Sequence, residues 1–389
     1  MKSNQTTNTI KIKRFYFLDN LRTVIIFLVI MLHASGPYLA GDGWQLFWIV
    51  EDPANNAVSG IIFLLLDIFL MASLFFISGV LVPASLKRKS GWEFIKGKLK
   101  RLILPWAVSV LTLIPLYKVI FRFSRGLPQE NWTTYFHITN PNSQNWLWFL
   151  PVLFAFNLLY LLFTKANLRL PKLSAKTAVI ISFVIGVAYT LAMDLLGLKG
   201  WTLTPLLDFQ NERILIYFMF FMLGALFYNH GVFASKPEKK TLYTIVNSTS
   251  WLPINVYIFI VLWPIVFNPG NFLFSRVIDR ALVAFTFHLT LYSLVYTLVE
   301  SFRFYGDKAN RVWVELNRNS YYVYIIHVIV TGIITLLLRD TGIPSLLKHF
   351  IQTITTFVVS NLIVSGVRAA FHMLRPNYTK STMQTSTEN

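Results

Sequence analysis

Residues 58–84 read VSGIIFLLLDIFLMASLFFISGVLVPA, and this stretch decides the class of the fold. Asp67 is its single ionisable side chain, and about 20 apolar residues are enough for a helix to cross the hydrocarbon core of a bilayer. In the whole chain 55% of the residues are hydrophobic and 13% are charged, whereas roughly a quarter are charged in soluble proteins. A β-barrel would show short alternating segments instead. The sequence therefore predicts an all-α, polytopic transmembrane helical bundle.

Similar apolar runs on both sides of this stretch raise the number of predicted spans to about ten. The predicted spans are 17–39, 58–84, 102–121, 146–164, 177–197, 212–230, 243–267, 277–299, 319–338 and 346–371. The seventh contains Pro253 and Pro264, which are tolerated in a membrane helix supported by neighbours. We expect a polar, basic segment over 1–16, a transmembrane domain over 17–372, and a disordered tail over 373–389 that is rich in Ser, Thr and Asn.

Lysine and arginine side chains cluster on alternate connections between the spans, which predicts the orientation of the bundle. The clusters are Lys11, Lys13 and Arg14; Lys87, Arg88, Lys89, Lys96, Lys98, Lys100 and Arg101; Lys165, Arg169, Lys172 and Lys176; Lys236, Lys239 and Lys240; and Arg303, Lys308, Arg311 and Arg318. With ten spans they all fall on one side, and the positive-inside rule places that side and both termini in the cytoplasm. The net charge of +18 is then explained by topology and by attraction to anionic lipid, without a nucleic-acid partner.

The first span carries an arginine and a histidine on one helical face. Arg22 and His33 are eleven residues apart, which is about three helical turns and roughly 16 Å along the axis. Ionisable groups at membrane depth are costly and usually functional, and an imidazole is the usual general base near neutral pH. The alternative interpretation is that Arg22 reaches the lipid headgroups and His33 hydrogen-bonds a neighbouring helix.

Five motifs resemble those of the membrane-bound acyltransferase-3 family. They are Phe17-Leu18-Asp19-Asn20-Leu21-Arg22 with His33, Leu74-Phe75-Phe76-Ile77-Ser78-Gly79, the basic run from Phe94 to Trp106, Trp148-Phe149-Leu150, and Ser320-Tyr321-Tyr322-Val323-Tyr324-Ile325-Ile326-His327. Their order and spacing cover most of the chain. The resemblance implies about ten spans and transfer of an acyl group, most often acetyl, from cytoplasmic acyl-CoA to sugar hydroxyls of cell-surface or secreted glycans. The expected location is a bacterial cytoplasmic membrane.

The resemblance also implies roles for individual residues. It makes His33 the catalytic histidine and Arg22 its motif partner, and it implies that Lys98 and Arg101 help to hold the donor. Together with Lys100 they would hold the phosphates of coenzyme A by charge-assisted hydrogen bonds, and Arg22 would steady the donor near the membrane entrance. The family usually has arginine where Lys98 stands, so a bidentate contact to phosphate is lost here. The alternative for this basic segment is an amphipathic helix bound to lipid.

His33 is expected to remove a proton from the acceptor hydroxyl as that hydroxyl attacks the thioester. An acyl-histidine intermediate is the alternative route. Asp67 lies at a comparable depth in the second span and is a candidate to orient the imidazole, as a carboxylate does in a catalytic triad. The alternative for Asp67 is a hydrogen bond between helices, made as a neutral acid.

Other polar and aromatic side chains are candidates for supporting roles. Tyr324 and His327 form a polar step on one face of the ninth span. Ser78 and Trp148 belong to the family-like motifs, and Asp19 is placed to cap the first helix or to meet its dipole. Three tryptophans near the outer face are candidates to stack on a sugar: Trp44, Trp48 and Trp146. Three histidines without a motif are expected to be structural: His288, His349 and His372.

The sequence disfavours several other classes of function. It contains no His-Glu-x-x-His or comparable spacing for a metal, no phosphate-binding loop of the Walker type and no cysteine. The alternative from another class is a transporter that exports a polysaccharide or its precursor, since intramembrane Arg, Asp and His suit a proton-coupled carrier. Such carriers often contain internal repeats, and none is visible here.

Overall fold

The structure is a computed structural model that describes residues 15–39, 48–136, 144–166, 173–234 and 240–374. The predicted N-terminal segment and C-terminal tail lie almost entirely outside these ranges. The other predicted residues that lie outside them are Lys11, Lys13, Arg14, Trp44, Arg169, Lys172, Lys236 and Lys239.

The described residues form a helical bundle. Its helices are α1 (Tyr16–Ser35), α2 (Ala57–Leu86), α3 (Gly91–Lys98), α4 (Leu104–Ser124), α5 (Phe149–Lys165), α6 (Ala175–Leu195), α7 (Ile214–Asn229), α8 (Thr241–Thr249), α9 (Trp251–Leu262), α10 (Arg276–Tyr305), α11 (Arg311–Arg339) and α12 (Ser345–Met373). Wider π-helical turns follow α3 at Leu99–Ile103 and α9 at Trp263–Phe267. Within the described ranges, nine helical stretches are long and apolar enough to cross a bilayer. The all-α polytopic bundle is confirmed.

The sixth predicted span is the one that differs from a full-length membrane helix. Residues 212–230 give α7, which has 16 residues, fewer than the ~20 needed to cross the hydrocarbon core alone. The chain before α7 forms a hairpin of two short antiparallel strands, β1 (Trp201–Thr202) and β2 (Phe209–Gln210). A turn at Thr204 closes this hairpin, because the Thr204 hydroxyl accepts a hydrogen bond from the backbone N–H of Leu207.

Helix α1 lies against α2, α10, α11 and α12. It runs parallel to α11, because Thr23 donates a hydrogen bond to Asn317 near the start of both helices and His33 meets His327 farther along. This direction agrees with the prediction that the first and ninth spans cross the membrane in the same sense. We call the end of the bundle where α1 begins the inner end, and the opposite end the outer end.

Helices α2 and α7 cross so closely that their backbones touch. A Cβ atom on Gly79 would lie 1.9 Å from the carbonyl oxygen of Phe221. A Cβ atom on Gly224 would lie 2.2 Å from the carbonyl oxygen of Phe76. Small residues at helix interfaces allow this approach inside a membrane, and here only glycine fits on either side.

The short helix α7 runs parallel to α2 and begins farther from the outer end of the bundle than α2 does. Arg213, which directly precedes α7, pairs with Asp67, and Tyr217 stacks on Phe75 one turn farther on. Asp67 is ten residues beyond the first residue of α2, so α2 extends roughly 15 Å farther outward than α7. The hairpin reaches down to this level, and irregular backbone at membrane depth is stable where it lines a cavity.

Candidate active site

A small cavity lies at the level of Asp67, enclosed by α1, α2, α7, α11 and the hairpin. Its volume is about 80 Å³. Sites that enclose a whole ligand are typically about 300–1,000 Å³, so this cavity has room for reacting groups and not for a whole donor or acceptor. Its polar and aromatic lining comes from His33, Asp67, Trp146, Trp148, Trp201, Gln210, Tyr217 and Tyr324.

His33 lines this cavity, and its imidazole contacts that of His327, which does not line the cavity. The Nδ1 atom of His33 lies 2.7 Å from Nε2 of His327. The Nδ1 atom of His327 lies in turn 2.6 Å from the backbone carbonyl oxygen of Tyr324, and His327 is fully buried. The indole of Trp48 stacks on the His33 ring, with 5.3 Å between ring centroids. The His33 imidazole is therefore fixed by a ring on its face and by a hydrogen bond on its edge.

Asp67 lies on the same cavity but has a partner that the sequence did not indicate. Its carboxylate is 2.7 Å from Nη2 of Arg213, and its backbone carbonyl accepts a hydrogen bond from Nη1 of the same guanidinium. In the described contacts Asp67 pairs with Arg213, and the Nδ1 atom of His33 meets His327. The ion pair of Asp67 has a physical reason, because Arg213 is largely buried and a buried cation without a paired carboxylate is strongly destabilising.

Two of the three tryptophans predicted to stack on a sugar, Trp48 and Trp146, are buried and make contacts within the bundle. Trp48 and Trp146 are 4% and 3% exposed. Trp48 covers His33, and the indole N–H of Trp146 donates to the backbone carbonyl of Ile325 at 2.9 Å. The Tyr324 hydroxyl donates to the backbone carbonyl of Trp146. This reciprocal pair holds the segment before α5 against α11.

Trp148 and Trp201 form the aromatic wall of the cavity on the hairpin side. Their rings meet edge to face, with 5.4 Å between centroids. Trp148 also stacks on Tyr217, with 5.9 Å between centroids. The hairpin and the start of α7 thus complete a cavity whose other walls come from the long helices.

Arg22 is fixed at the inner end between α1 and α11. Its Nη2 atom lies 3.3 Å from the Asp19 carboxylate, one helical turn earlier. The guanidinium also donates to the Ser320 hydroxyl and to the backbone carbonyl of Asn317, each at 3.3 Å. Asp19 therefore sits in the first turn of α1 as an ion-pair partner, a position that also suits the helix dipole.

The basic segment between the second and third predicted spans is helical. Helix α3 starts with a capping box formed by Ser90 and Glu93 and continues through the π-helical turn into α4. Pro105 has no backbone N–H, so it cannot donate to the carbonyl of Arg101 four residues earlier. The Tyr321 hydroxyl donates to this oxygen at 2.6 Å. Wide π turns often occur at functional sites, and this one is tied to α11 beside the contacts of Arg22.

Three positive charges of this segment, on Lys98, Lys100 and Arg101, have no ion-pair partner among the carboxylates of the described residues. Lys98 is half-buried, whereas Lys100 and Arg101 are exposed, and Arg101 and Lys89 are close enough to Lys98 to repel its charge. Within the described ranges no ion pair joins any of these four cations to a carboxylate. Such a cluster is suited to binding an anion through charge-assisted hydrogen bonds.

Replacing Tyr321 with phenylalanine is expected to lower the free energy of unfolding by about 1 kcal/mol, because the Arg101 carbonyl loses its donor. Pro105→Ala restores a backbone N–H at the position that the helix would normally use, so Tyr321→Phe is expected to cost less in that background. Thermal unfolding of the two single variants and the double variant in detergent measures this coupling. Equal costs of Tyr321→Phe in both backgrounds would contradict the assignment.

The structure brings seven of the predicted residues together at or beside the cavity. They are His33, Trp48, Asp67, Trp146, Trp148, Tyr324 and His327. Arg22, Asp19, Lys98, Lys100 and Arg101 lie toward the inner end, and Ser78 is half-buried beside the glycine crossing of α2.

The sequence did not single out Trp201, Gln210, Arg213 and Tyr217 as site residues. For Arg213 a signal existed, because a lone arginine at the predicted outer start of a span departs from the positive-inside pattern. The other three come from a hairpin and a shortened helix that the apolar run of residues 212–230 does not reveal.

Two of the three histidines expected to be structural, His288 and His349, have contacts away from the cavity. His288 is buried with its Nδ1 atom 2.8 Å from the carbonyl oxygen of Ala284. His349 lies 2.9 Å from the hydroxyl of Ser59 on α2, and His372 is exposed. Among the residues that the structure describes, no group of three or more His, Cys, Asp or Glu side chains is placed to hold a metal ion.

Comparison with known proteins identifies a family for this chain. The model of an acyltransferase domain, that of the acyltransferase-3 family, matches residues 15–367. This range contains the cavity, the His33–His327 pair and the whole basic segment. Neither a curated protein nor a solved structure matches the chain.

Proposed function

We propose, from the premise that this chain belongs to the acyltransferase-3 family, that it moves an acetyl or other acyl group from cytoplasmic acyl-CoA to a hydroxyl of an extracytoplasmic or lipid-linked carbohydrate. The family and the apolar helices make it a membrane acyltransferase. The observation that carries the finer proposal is the position of His33, on a cavity inside the bundle, with its Nδ1 atom held by His327.

The donor is assigned to the inner end because of the charges there. The unneutralised cluster of Lys98, Lys100 and Arg101 suits the phosphates of coenzyme A. Arg22 lies between this cluster and the cavity on α1, since Tyr321 joins the basic segment to α11 beside the Arg22 contacts. The pantetheine arm then follows α1 for roughly 16 Å to His33, a distance set by helical rise.

The acceptor is assigned to the outer end because of the short helix α7. The outer part of α2 has no α7 beside it, and the hairpin takes that place with Trp201 and Gln210 on the cavity. A sugar is too large for a cavity of about 80 Å³, so only its reacting hydroxyl enters. The rest of the acceptor stays outside the cavity, on the side of the hairpin.

The chemical step follows from the cavity and its base. The acceptor hydroxyl gives its proton to His33 as its oxygen attacks the thioester carbonyl carbon. A carbon–oxygen bond forms, the carbon–sulfur bond breaks, and the departing thiolate takes the proton from the imidazolium. Placing the two reacting groups in so small a space supplies much of the rate by proximity. The direct route is overturned if labelled acyl-CoA alone leaves a labelled acyl group on the protein.

The test uses the full chain purified in detergent and returned to lipid nanodiscs. Radiolabelled acetyl-CoA is supplied with carbohydrate acceptors, and we expect transfer of label to the carbohydrate or slow hydrolysis of the thioester. If the thioester remains intact while the same protein in sealed vesicles moves a glycan across the membrane, the transporter alternative replaces this proposal. Mass spectrometry of glycans from cells with and without the protein identifies the acceptor.

Lys98→Ala is expected to raise the KM for acyl-CoA about tenfold or more with kcat little changed, because it removes a cation from the donor site. Lys98→Arg is expected to bind the donor at least as tightly as the natural residue, since the guanidinium adds a bidentate contact to phosphate. Lys176→Ala, an exposed lysine at the start of α6, is the matched control. An unchanged KM in Lys98→Ala would place the donor elsewhere.

A further inference from the structure

We infer that His327 is a positioning residue that fixes the tautomer of His33, so that Nδ1 of His33 carries the proton and Nε2 presents the lone pair to the cavity. The catalytic part of this inference rests on the proposed function. The hydrogen-bond part rests on the geometry alone.

The direction of the hydrogen bonds follows from the backbone acceptor at the end of the chain of contacts. The backbone carbonyl oxygen of Tyr324 can only accept, and it lies 2.6 Å from Nδ1 of His327. Nδ1 of His327 must therefore carry a proton. In a neutral imidazole the other nitrogen is then an acceptor, so Nε2 of His327 has no proton to donate. The 2.7 Å contact with Nδ1 of His33 is a hydrogen bond only if His33 is the donor.

The relative position of the rings supports a hydrogen bond between the two imidazoles. Their centroids lie 4.9 Å apart and their planes differ by 29°. A nitrogen–nitrogen distance of 2.7 Å at this separation means that the rings meet edge to edge, nitrogen facing nitrogen. Face-to-face stacking would bring the centroids closer without bringing two nitrogens into line.

The arrangement places the free lone pair where the proposed reaction needs it. Nδ1 of His33 is occupied by His327, and Nε2 of His33 has no hydrogen bond among the described residues. His33 lines the cavity and His327 does not. When Nε2 takes a proton from the acceptor hydroxyl, the Nδ1–H bond to His327 strengthens, and the Tyr324 carbonyl stabilises the charge through the second imidazole.

In this arrangement the neutral imidazole of His327 takes the place that a carboxylate has in a catalytic triad. A triad carboxylate selects the tautomer of its histidine and stabilises the imidazolium, but an ionised carboxylate inside a bundle is costly to bury without further partners. A neutral histidine bonded to a backbone carbonyl selects the same tautomer without a buried charge. The nearby carboxylate of Asp67 remains engaged by Arg213.

The first test measures the tautomer in the resting protein and does not depend on activity. Full-length protein with ¹⁵N-labelled histidine is placed in lipid bilayers near pH 8, and the ring nitrogen shifts are recorded by solid-state NMR. His33→Asn removes the His33 signals and so assigns them. We expect a protonated Nδ1 and an unprotonated Nε2 on His33. A proton on Nε2 of His33 in the wild-type protein overturns the inference.

The second test compares two amides at position 327. In His327→Gln the longer side chain brings an amide oxygen close to the position of Nε2, where it accepts the proton of His33. In His327→Asn the shorter side chain reaches only the position of Nδ1 and leaves His33 without an acceptor. We expect kcat to fall about 100-fold or more in His327→Asn and to stay within about tenfold of wild type in His327→Gln, with the KM for acyl-CoA unchanged in both.

The outcomes separate this inference from the proposed function. Equal activity of the two variants, whether both are as active as wild type or both are inactive while folded, overturns the positioning role. Thermal unfolding of both variants shows whether they are folded. If the wild-type protein transfers no acyl group at all, the proposed function fails, and the NMR measurement still decides the direction of the His33–His327 hydrogen bond.

Discussion

His33→Asn is expected to lower kcat for acyl transfer by about 10²–10⁴-fold, the usual contribution of a general base. Asparagine is more informative than alanine here, because its amide N–H₂ lies near the position of Nδ1 and keeps the hydrogen bond to His327. The variant therefore loses the lone pair that faces the cavity but retains the contact with His327. Its unfolding temperature and its KM for acyl-CoA are expected to match wild type, because the proposed site for the donor phosphates lies at the inner end.

The control for His33→Asn is His372→Ala, which alters an exposed histidine at the end of α12 and is expected to leave kcat unchanged. His33→Ala is also expected to be inactive, with some loss of stability because both the hydrogen bond and the contact with Trp48 disappear. Retention of wild-type kcat in His33→Asn would remove His33 from the chemistry. Loss of the folded protein in His33→Asn would contradict the expectation that its role is chemical.

Gly79→Ala and Gly224→Ala are each expected to destabilise the bundle by about 3 kcal/mol or more. A single methyl group on either residue would lie within 2.2 Å of a backbone carbonyl oxygen, so α2 and α7 must separate to admit it. Overpacking in a close-packed core typically costs about 1–3 kcal/mol, and here the obstructing atom is backbone that cannot rotate away. The measurements are the yield of monodisperse protein and the midpoint of thermal unfolding.

A glycine on the same helix provides the control for these two variants. A Cβ atom on Gly60 of α2 meets nothing within 4 Å, so Gly60→Ala is expected to leave stability unchanged or to raise it slightly, because alanine favours the helix. If Gly79→Ala and Gly60→Ala behave alike, the close crossing is not a stabilising feature of the bundle.

The sequence was sufficient to predict the helical bundle and nine of its spans, because an apolar run of membrane length has few stable structures other than a membrane helix. It was insufficient to predict the shortened sixth span. The apolar residues of 212–230 are a continuous run, and hydropathy does not show that Arg213 pairs with Asp67 below the outer end of α2. The depth at which a helix begins depends on its partner, and that information is not in the run itself.

For the candidate site, the sequence identified single residues better than pairs. His33 stood out because an imidazole in an apolar run is rare, and Arg22 because it lies on the same face three turns earlier. The contact between His33 and His327 joins positions 294 residues apart and depends on how α1 and α11 are rotated about their axes. The contact between Asp67 and Arg213 could not be predicted for the same reason, since the sequence gives the depth of Asp67 but not the helix that faces it.

The backbone contact at Gly79 and Gly224 also determines which parts of the bundle are able to move. No layer of side chains separates α2 from α7, so the two helices cannot slide past each other on rearranging rotamers. By contrast, the protein buries only 17% of the residues in the most apolar part of α6 and 11% in that of the stretch from α8 to α9. The corresponding share in α11 is 61%. We therefore expect opening motions in these outlying helices. The close contact between α2 and α7 is expected to keep their wall of the cavity rigid.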